Sequence, residues 1–454
     1  MGMRTILQSV PTCLTGLVQN LRSHLLDPDF VARHRLRPQD FTRQRQLTFP
    51  VVMLFVLQKT VKSIQRHLHE FLNELVGDEL FEPVTTGAWT HARAKLKHTA
   101  FIELNDQVVL PVLCGPERQE ARRLWHGHRL LGIDSSLLRL PNSLELLEAF
   151  TPVEVSNDGG KTGTRYPEAR MSVVYDLVNQ VGLDARLEPS SLGEVDLAIE
   201  QLRVAKPGDV LINDRGFTGY PYLAWHHHLG LDYIARCSTA SFAAAQELFR
   251  MNRAGRSVVA KLVPPNSHRT QMRALGLPLE LIVRFVSVRL PTGELEVLAT
   301  SLLDEEKYPT EEFLEVYHHR WPHETFYGRV KGRLDLENFS GQTAEAVRQD
   351  FYATVLLCNL ETALSQPADQ QLRETSATHQ HPKQVNRAVS YHALKDRLLD
   401  LLYSDQPVEK VVLELQQLFS ASPVSVRPER KPPRRKPSLN RSYHFQRRVK
   451  KIVF

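Results

Sequence analysis

Asp134 closes the apolar run RLLGID, Asp214 closes DVLIND, and Glu324 falls inside YHHRWPHETFYGRVK at residues 317 to 331. Both aspartates follow stretches that read as buried strands. An acid at the C-terminal end of such a strand is held rigidly yet faces the edge of the sheet, where clefts form. For either one alone the alternative is an acid that merely starts a turn; two such sites together with Glu324 shift the balance. Three converging carboxylates can hold two Mg²⁺ ions about 4 Å apart, because hard cations prefer oxygen ligands and offset carboxylate repulsion. Phosphodiester chemistry suits that arrangement. One ion lowers the pKa of an attacking water or 3′-hydroxyl, the other stabilises the leaving oxygen, and no dedicated general base is required.

Cations stand beside the third acid. On an ideal helix, at about 100° per residue, offsets of three, seven and fourteen bring Tyr317, Arg320, Glu324 and Lys331 within roughly 60° of arc. Arg320 and Lys331 would hold a DNA phosphate there, with Tyr317 donating a hydrogen bond, and Gly328 on the same face leaves room for a backbone to approach. A solvated polar stripe is the alternative. Pro322 interrupts the helix; placed in the first turn of a new one, it would set Glu324 near a helix N-terminus.

The supporting elements follow from periodicity. RLLGID and RMSVVYDLV read as strands, the latter pairing with VGLDARLEP in a hairpin that turns near Asn179 and Gln180. GEVDLAIEQLRV then reads as a helix, DVLIND as a buried strand, YPYLAWHHHLG as a helix and LDYIARC as another strand, which makes a mixed sheet with helical cover. From 238 to 304 the alternation lapses into a β-rich insertion with a hairpin near 279 to 290 and 295 to 303. Residues 1 to about 110 read as helical, with Thr85 or Thr86 as a cap candidate. QPADQQLRETSATHQHPKQ reads as a linker before a last helical pair at 385 to 402 and 407 to 419.

The 454 residues carry a net charge of +6. Arg427 to Lys451 holds eleven Lys or Arg against Glu429, so this Pro-rich segment carries +10 and leaves −4 for the remainder. Such a tail suits a flexible arm that releases phosphate counterions on binding nucleic acid, with a solubilising tail as the alternative. Cations among the N-terminal helices fit DNA phosphates and solvated helix faces equally. Four scattered cysteines without a C-x-x-C pair suggest neither a disulfide framework nor a cysteine zinc site, and point to a reducing cytoplasm. The longest apolar run, FPVVMLFVL, is far short of the roughly 20 residues of a membrane span.

The spacing Tyr317, Arg320, Glu324, Lys331, behind two strand-end acids, resembles the signature of the insertion-sequence-4 family of DDE transposases. IDSSLLRLPNS, DRGF and LENFSGQTAEAVRQDFYATVLLCNL resemble it too, so the likeness runs from about residue 30 to 450. It implies an α/β fold: a ribonuclease-H-like mixed sheet at 128–366 with the β-rich insertion at 238–304, a helical N-terminal DNA-binding domain at 1–115, and a helical region with a basic tail at 380–454. The 109 residues between Asp214 and Glu324 fit such an insertion.

By the same resemblance Asp134, Asp214 and Glu324 form the metal triad for two Mg²⁺ ions, with Mn²⁺ able to substitute, and Tyr317, Arg320 and Lys331 contact transposon-end DNA. The implied activity is metal-dependent cleavage at transposon ends and strand transfer into target DNA, by a homodimer on DNA in the bacterial cytoplasm, associated with the nucleoid. Trp321 either stacks on a displaced base or packs in the core. A DNA-binding descendant of a transposase without turnover is the alternative. His323 departs from the apolar residue many relatives carry before the glutamate.

Other signals carry less. GGKT at 159 to 162 is no phosphate loop, because the first glycine of that motif would fall on Val155. Lys161 and Arg165, in a Gly-rich loop, either touch DNA or line a surface loop. The histidines at 126, 128 and 226 to 228 lack partners at zinc spacing.

Overall fold

A computed structural model describes residues 11–426 apart from 44, 60–62, 77–82, 116–121, 156–163, 333 and 335. About half of the described residues are helical, and the strands form a nine-stranded mixed sheet beside a small two-stranded one. The chain divides into two compact units, one drawn from Met1–Glu120, Arg139–Pro167 and Val330–Phe454, the other from Ala121–Leu138 and Glu168–Arg329.

The strands of the large sheet are β1 (Leu130–Arg139), β2 (Thr151–Val155), β3 (Thr164–Asp176), β4 (Val181–Pro189), β5 (Val210–Asn213), β6 (Asp232–Arg236), β7 (Arg256–Leu262), β8 (Leu281–Arg289) and β9 (Leu295–Thr300). They lie in the order β2-β3-β1-β5-β6-β9-β8-β7, with β4 also pairing with β3. β1, β5 and β6 are parallel, and their apolar faces are covered on both sides, as the unbroken run Val210–Ile212 requires.

The predicted hairpin is present: β3 and β4 pair from Ala169↔Pro189 to Asp176↔Val181. Its turn is fixed by Asp176, whose carboxylate accepts from the backbone amides of Val178 and Asn179, while Gln180 takes the left-handed conformation. Helices α1 (Glu194–Gln201) and α2 (Tyr220–His228) follow the predicted positions.

The segment 238–304 contains the predicted hairpin as β8 and β9, but it also holds β7 and the helices α3 (Ala243–Met251) and α4 (Asn266–Ala274). It does not form a sheet of its own. β9 pairs antiparallel with β6, from Ile234↔Thr300 to Arg236↔Leu298, so the insertion extends the main sheet. Its core packs Leu248, Met272, Val283, Phe285 and Val297 around the buried Tyr233.

In the other unit the fully buried helix Phe49–Gln58 and the helix Val408–Ala421 pack on the long helix Ala344–Thr375. Thr85 caps the helix Thr86–Arg93, accepting from the amide of Ala88 at 3.1 Å. The linker expected after residue 365 begins instead as helix. Pro367 lies inside it, and Ala368 and Asp369 are buried, so packing outweighs the hydrogen bond that proline removes. No helix among the described residues is long and apolar enough to cross a membrane.

Candidate active site

The parallel pairing of β1 with β5 brings the two aspartates into one neighbourhood. Leu131 of β1 pairs with Leu211 of β5, and Asp134 and Asp214 each stand three residues beyond that pair. β1 does not end at Asp134, as RLLGID suggested, but runs on to Arg139: it parts from β5 after Leu131 and continues beside β3. Asp134 is half-buried. Its Oδ1 accepts from the amide of Ser135 at 2.8 Å, and its carbonyl accepts from the Tyr327 hydroxyl at 2.5 Å. Burial pushes its carboxyl up to about 6, Glu194 and Asp214 push the same way, and the Ser135 amide and Arg320 oppose them. Asp214 is partly exposed and accepts from the Arg215 amide at 2.7 Å, opening the turn Arg215–Phe217.

The block from 317 to 331 is not one helix. α5 (Phe313–His318) ends, Arg320 lies at the junction, and α6 (Trp321–Gly332) starts again with Pro322 in its first turn, where a missing amide hydrogen costs least. The single polar stripe is therefore not formed. Tyr317 sits on α5, while Glu324 falls in the first turn of α6, where the helix dipole favours a negative charge. The turn at the junction aims Arg320 at both acids: its guanidinium donates to Glu324 Oε1 at 2.7 Å and lies 4.0 Å from Asp214 Oδ2. Burial works against that charge, but Tyr317, Asp214 and Glu324 outweigh it and hold the guanidinium above its ordinary value.

Tyr317 is buried, its phenol pushed up to about 12 chiefly by burial. Its hydroxyl and Arg320 Nε are both buried without a hydrogen-bond partner. His323 fills the apolar place before the glutamate as a buried ring stacked between Tyr175 and Tyr327, at 5.5 and 4.9 Å. Burial, with Arg320 adding to it, drives its imidazole down to about 3, so it is neutral. Gly132 on β1 makes the room: a Cβ there would meet His323 Nδ1 and Leu177 Cδ2 at 3.0 Å.

Among the described residues no three Asp, Glu, His or Cys side chains are grouped as they would be around an ion, because Arg320 lies between two of the acids. The donor set still fits a hard divalent cation. It offers carboxylate oxygens, and like charges crowd Asp134 in a way that a cation would relieve.

The family model for the transposase DDE domain matches residues 125–360, a span that contains all three acids. The chain belongs to the transposase DDE domain family. It is a DNA transposase, and it is similar, at 22% identity over 357 residues, to the transposase InsG for insertion sequence element IS4 of Escherichia coli (strain K12), covering 74% of each chain. The chain is also similar to the piggyBac transposase in its synaptic complex with hairpin DNA, at 9% identity and a TM-score of 0.44, covering 89% of this chain and 80% of that one.

Other residues singled out in the sequence fall elsewhere in the transposase. Trp321 is half exposed at the start of α6. Lys331, in the last turn of α6, belongs to the other unit and lies 3.9 Å from Glu337. Arg165 is exposed at the start of β3, while Lys161 and the basic segment 427–451 lie outside the described residues. Of the histidines, His226 is buried and bonded to the Tyr222 carbonyl, and His126 pairs with Glu312 at 2.6 Å.

Sequence reasoning missed Glu194, which accepts from the Ser135 hydroxyl at 2.5 Å, and Arg170, which donates to the same hydroxyl at 2.7 Å. The neighbouring SS after Asp134 was a weak signal for such a bond. It also missed the tie between Arg215 and the insertion, at 3.6 Å to Glu294 and 3.7 Å to Glu296, the latter also held by Arg236.

Proposed function

We propose that this transposase cleaves phosphodiesters at the ends of its element and joins the freed 3′-hydroxyls to target DNA, using Asp134, Asp214 and Glu324 to hold two Mg²⁺ ions that Mn²⁺ can replace. The observation that carries this reading is Arg320, bonded to Glu324 and 4.0 Å from Asp214, with Asp134 on β1 and Asp214 just past the end of its parallel neighbour β5. When bound, the ions supply the activated oxygen nucleophile and stabilise the leaving oxygen.

The chain's own residues orient the DNA. The Tyr317 hydroxyl and Arg320 Nε have no hydrogen-bond partner within the protein, which leaves both able to take one from DNA once the site is occupied. Arg320, whose guanidinium reaches Glu324 and Asp214, would hold a DNA phosphate beside the acids. Lys331, Lys161 and Arg165 add phosphate contacts, and Trp321, half exposed at the start of α6, would stack on a base. The order of these residues supports a reading within the insertion-sequence-4 branch. The mixed sheet, with a hairpin beside parallel β1, β5 and β6, supports a ribonuclease-H-like core at 128–366.

In this reading the helical region 1–115 and the region 380–454 recognise the element's ends, and two copies pair on DNA so that both ends are cut together. The protein works on the nucleoid. The test is nicking and joining of DNA carrying the gene's own flanks, with Mg²⁺, by the natural protein and by Glu324→Gln and Asp214→Asn. Two discrete nicks that vanish in both variants support the assignment. Cleavage that survives either change overturns the site, and specific binding without cleavage by the natural protein favours a DNA-binding descendant.

A further inference from the structure

Glu194 opens α1 and is a further acid whose charge acts on Asp134. Its Oε1 accepts from the Ser135 hydroxyl at 2.5 Å, and its Oε2 lies 4.0 Å from where a Cβ on Gly216 would stand, two residues past Asp214. Ser135 is the residue after Asp134, and both hydrogen-bonding roles of its hydroxyl are filled: it donates to Glu194 and accepts from Arg170 Nη1 at 2.7 Å. Arg170, on β3, is itself fixed by the carbonyls of Leu192 at 3.1 Å and Ser190 at 3.4 Å, in the connection that leads into α1. Ser135, Glu194 and Arg170 therefore join β1, β3 and the start of α1 around the backbone that carries Asp134.

A carboxylate that must share an ion with another is useful only if its backbone and rotamer are held, and groups behind the ligands commonly do this. Ser135 also supplies the amide that holds Asp134 Oδ1, so moving its backbone moves the acid. We propose that Glu194, acting through the Ser135 hydroxyl and braced by Arg170, is a positioning residue for Asp134 in the cleavage reaction. This rests on the reading of Asp134 and Asp214 as the metal-holding pair. Glutamine at 194 keeps an oxygen that accepts the serine hydroxyl, whereas alanine does not, so the bond and the charge can be separated.

The experiment compares the full-length natural protein with Glu194→Ala, Glu194→Gln, Ser135→Ala and Asp214→Asn. It measures cleavage rate at saturating end DNA, DNA-end affinity, Mn²⁺ affinity by electron paramagnetic resonance, and melting temperature. We expect Glu194→Ala and Ser135→Ala to lose about 10–100-fold in cleavage rate and in Mn²⁺ affinity, with end affinity and melting temperature unchanged and Glu194→Gln restoring both losses. The proposal is overturned if Glu194→Ala behaves as the natural protein, if Glu194→Gln is as damaged as Glu194→Ala, or if the losses follow a lowered melting temperature. Failure of the underlying reading is distinct: there, Asp214→Asn itself retains cleavage and Mn²⁺ binding.

Discussion

Asp134 and Asp350 are both aspartates withdrawn from water, one in each unit, and their surroundings push them in opposite directions. Asp350 is fully buried on the helix Ala344–Thr375 and is paired on both oxygens: Arg93 donates at 2.7 Å, Lys59 lies at 3.9 Å, and the amide of Ser340 donates at 2.7 Å. Burial alone would raise its pKa, but Arg93 and Lys59 hold it below the ordinary value. Arg93 in turn is bonded to Gln349, Ser340 and the Ala346 carbonyl. Asp134 has one amide and a shared arginine against burial and two other acids, and its carboxyl rises to about 6. A buried charge that is completed by the chain is architecture; one left incomplete beside like charges is a place for a cation from outside.

Four outcomes would break or sharpen that contrast. The largest concerns turnover: Asp134→Asn should lower end cleavage by at least about 10³-fold, since metal stabilisation of the transition state is worth several kcal/mol, while melting in the absence of divalent ions stays unchanged or rises. A comparable loss for Asp350→Asn without any loss of stability would erase the distinction. Next, Asp350→Ala leaves Arg93 buried without its partner and should cost about 3–5 kcal/mol of unfolding free energy by denaturant titration. The contribution of Asp350, whose pKa is lowered by folding, is present above the ordinary carboxylate range and is lost as pH falls below that range through its lowered value.

Third, Mg²⁺ at about 100 times its dissociation constant should stabilise the natural protein by about 2.7 kcal/mol, and should not stabilise Asp214→Asn. Calorimetry with and without chelator reads this directly. The smallest effect belongs to His226, which is kept neutral by burial, its imidazole driven down to about 4. The unfolded chain then binds the extra proton, so stability should fall by about 1 kcal/mol from pH 6.5 to 5.5. His226→Leu should flatten that slope, and an unchanged slope would assign it to another group.

The strands leading to the two aspartates were legible because apolar runs with polar ends mark buried strands directly. The turn near Asn179 and Gln180 and a cap at Thr85 or Thr86 were legible for the same reason: the signal is local, although the role of Asp176 in that turn was not read. What depended on packing was not. Residues 366–375 look like a linker by composition, yet the helix continues because Ala368 and Asp369 are buried and Asp369 accepts from the amide of Val385 at 2.8 Å. Pro322 was readable as a new helix start, but only the break itself shows that Arg320 turns between two acids. Glu194 lies 60 residues from Asp134 and has no spacing signature, so nothing short of the fold could bring it to Ser135.

The return of β9 beside β6 gives the long excursion between Asp214 and Glu324 a particular topology. The chain leaves at Arg236 and comes back opposite it at Leu298, so everything between is, in effect, the oversized tip of a hairpin. A tip closed by its own stem can be lengthened, trimmed or exchanged without altering where the stem stands. The segment is thus a graft whose size is decoupled from the acids on either side of it, and Arg215, reaching to Glu294 and Glu296, is the thread by which the graft remains tied to the host.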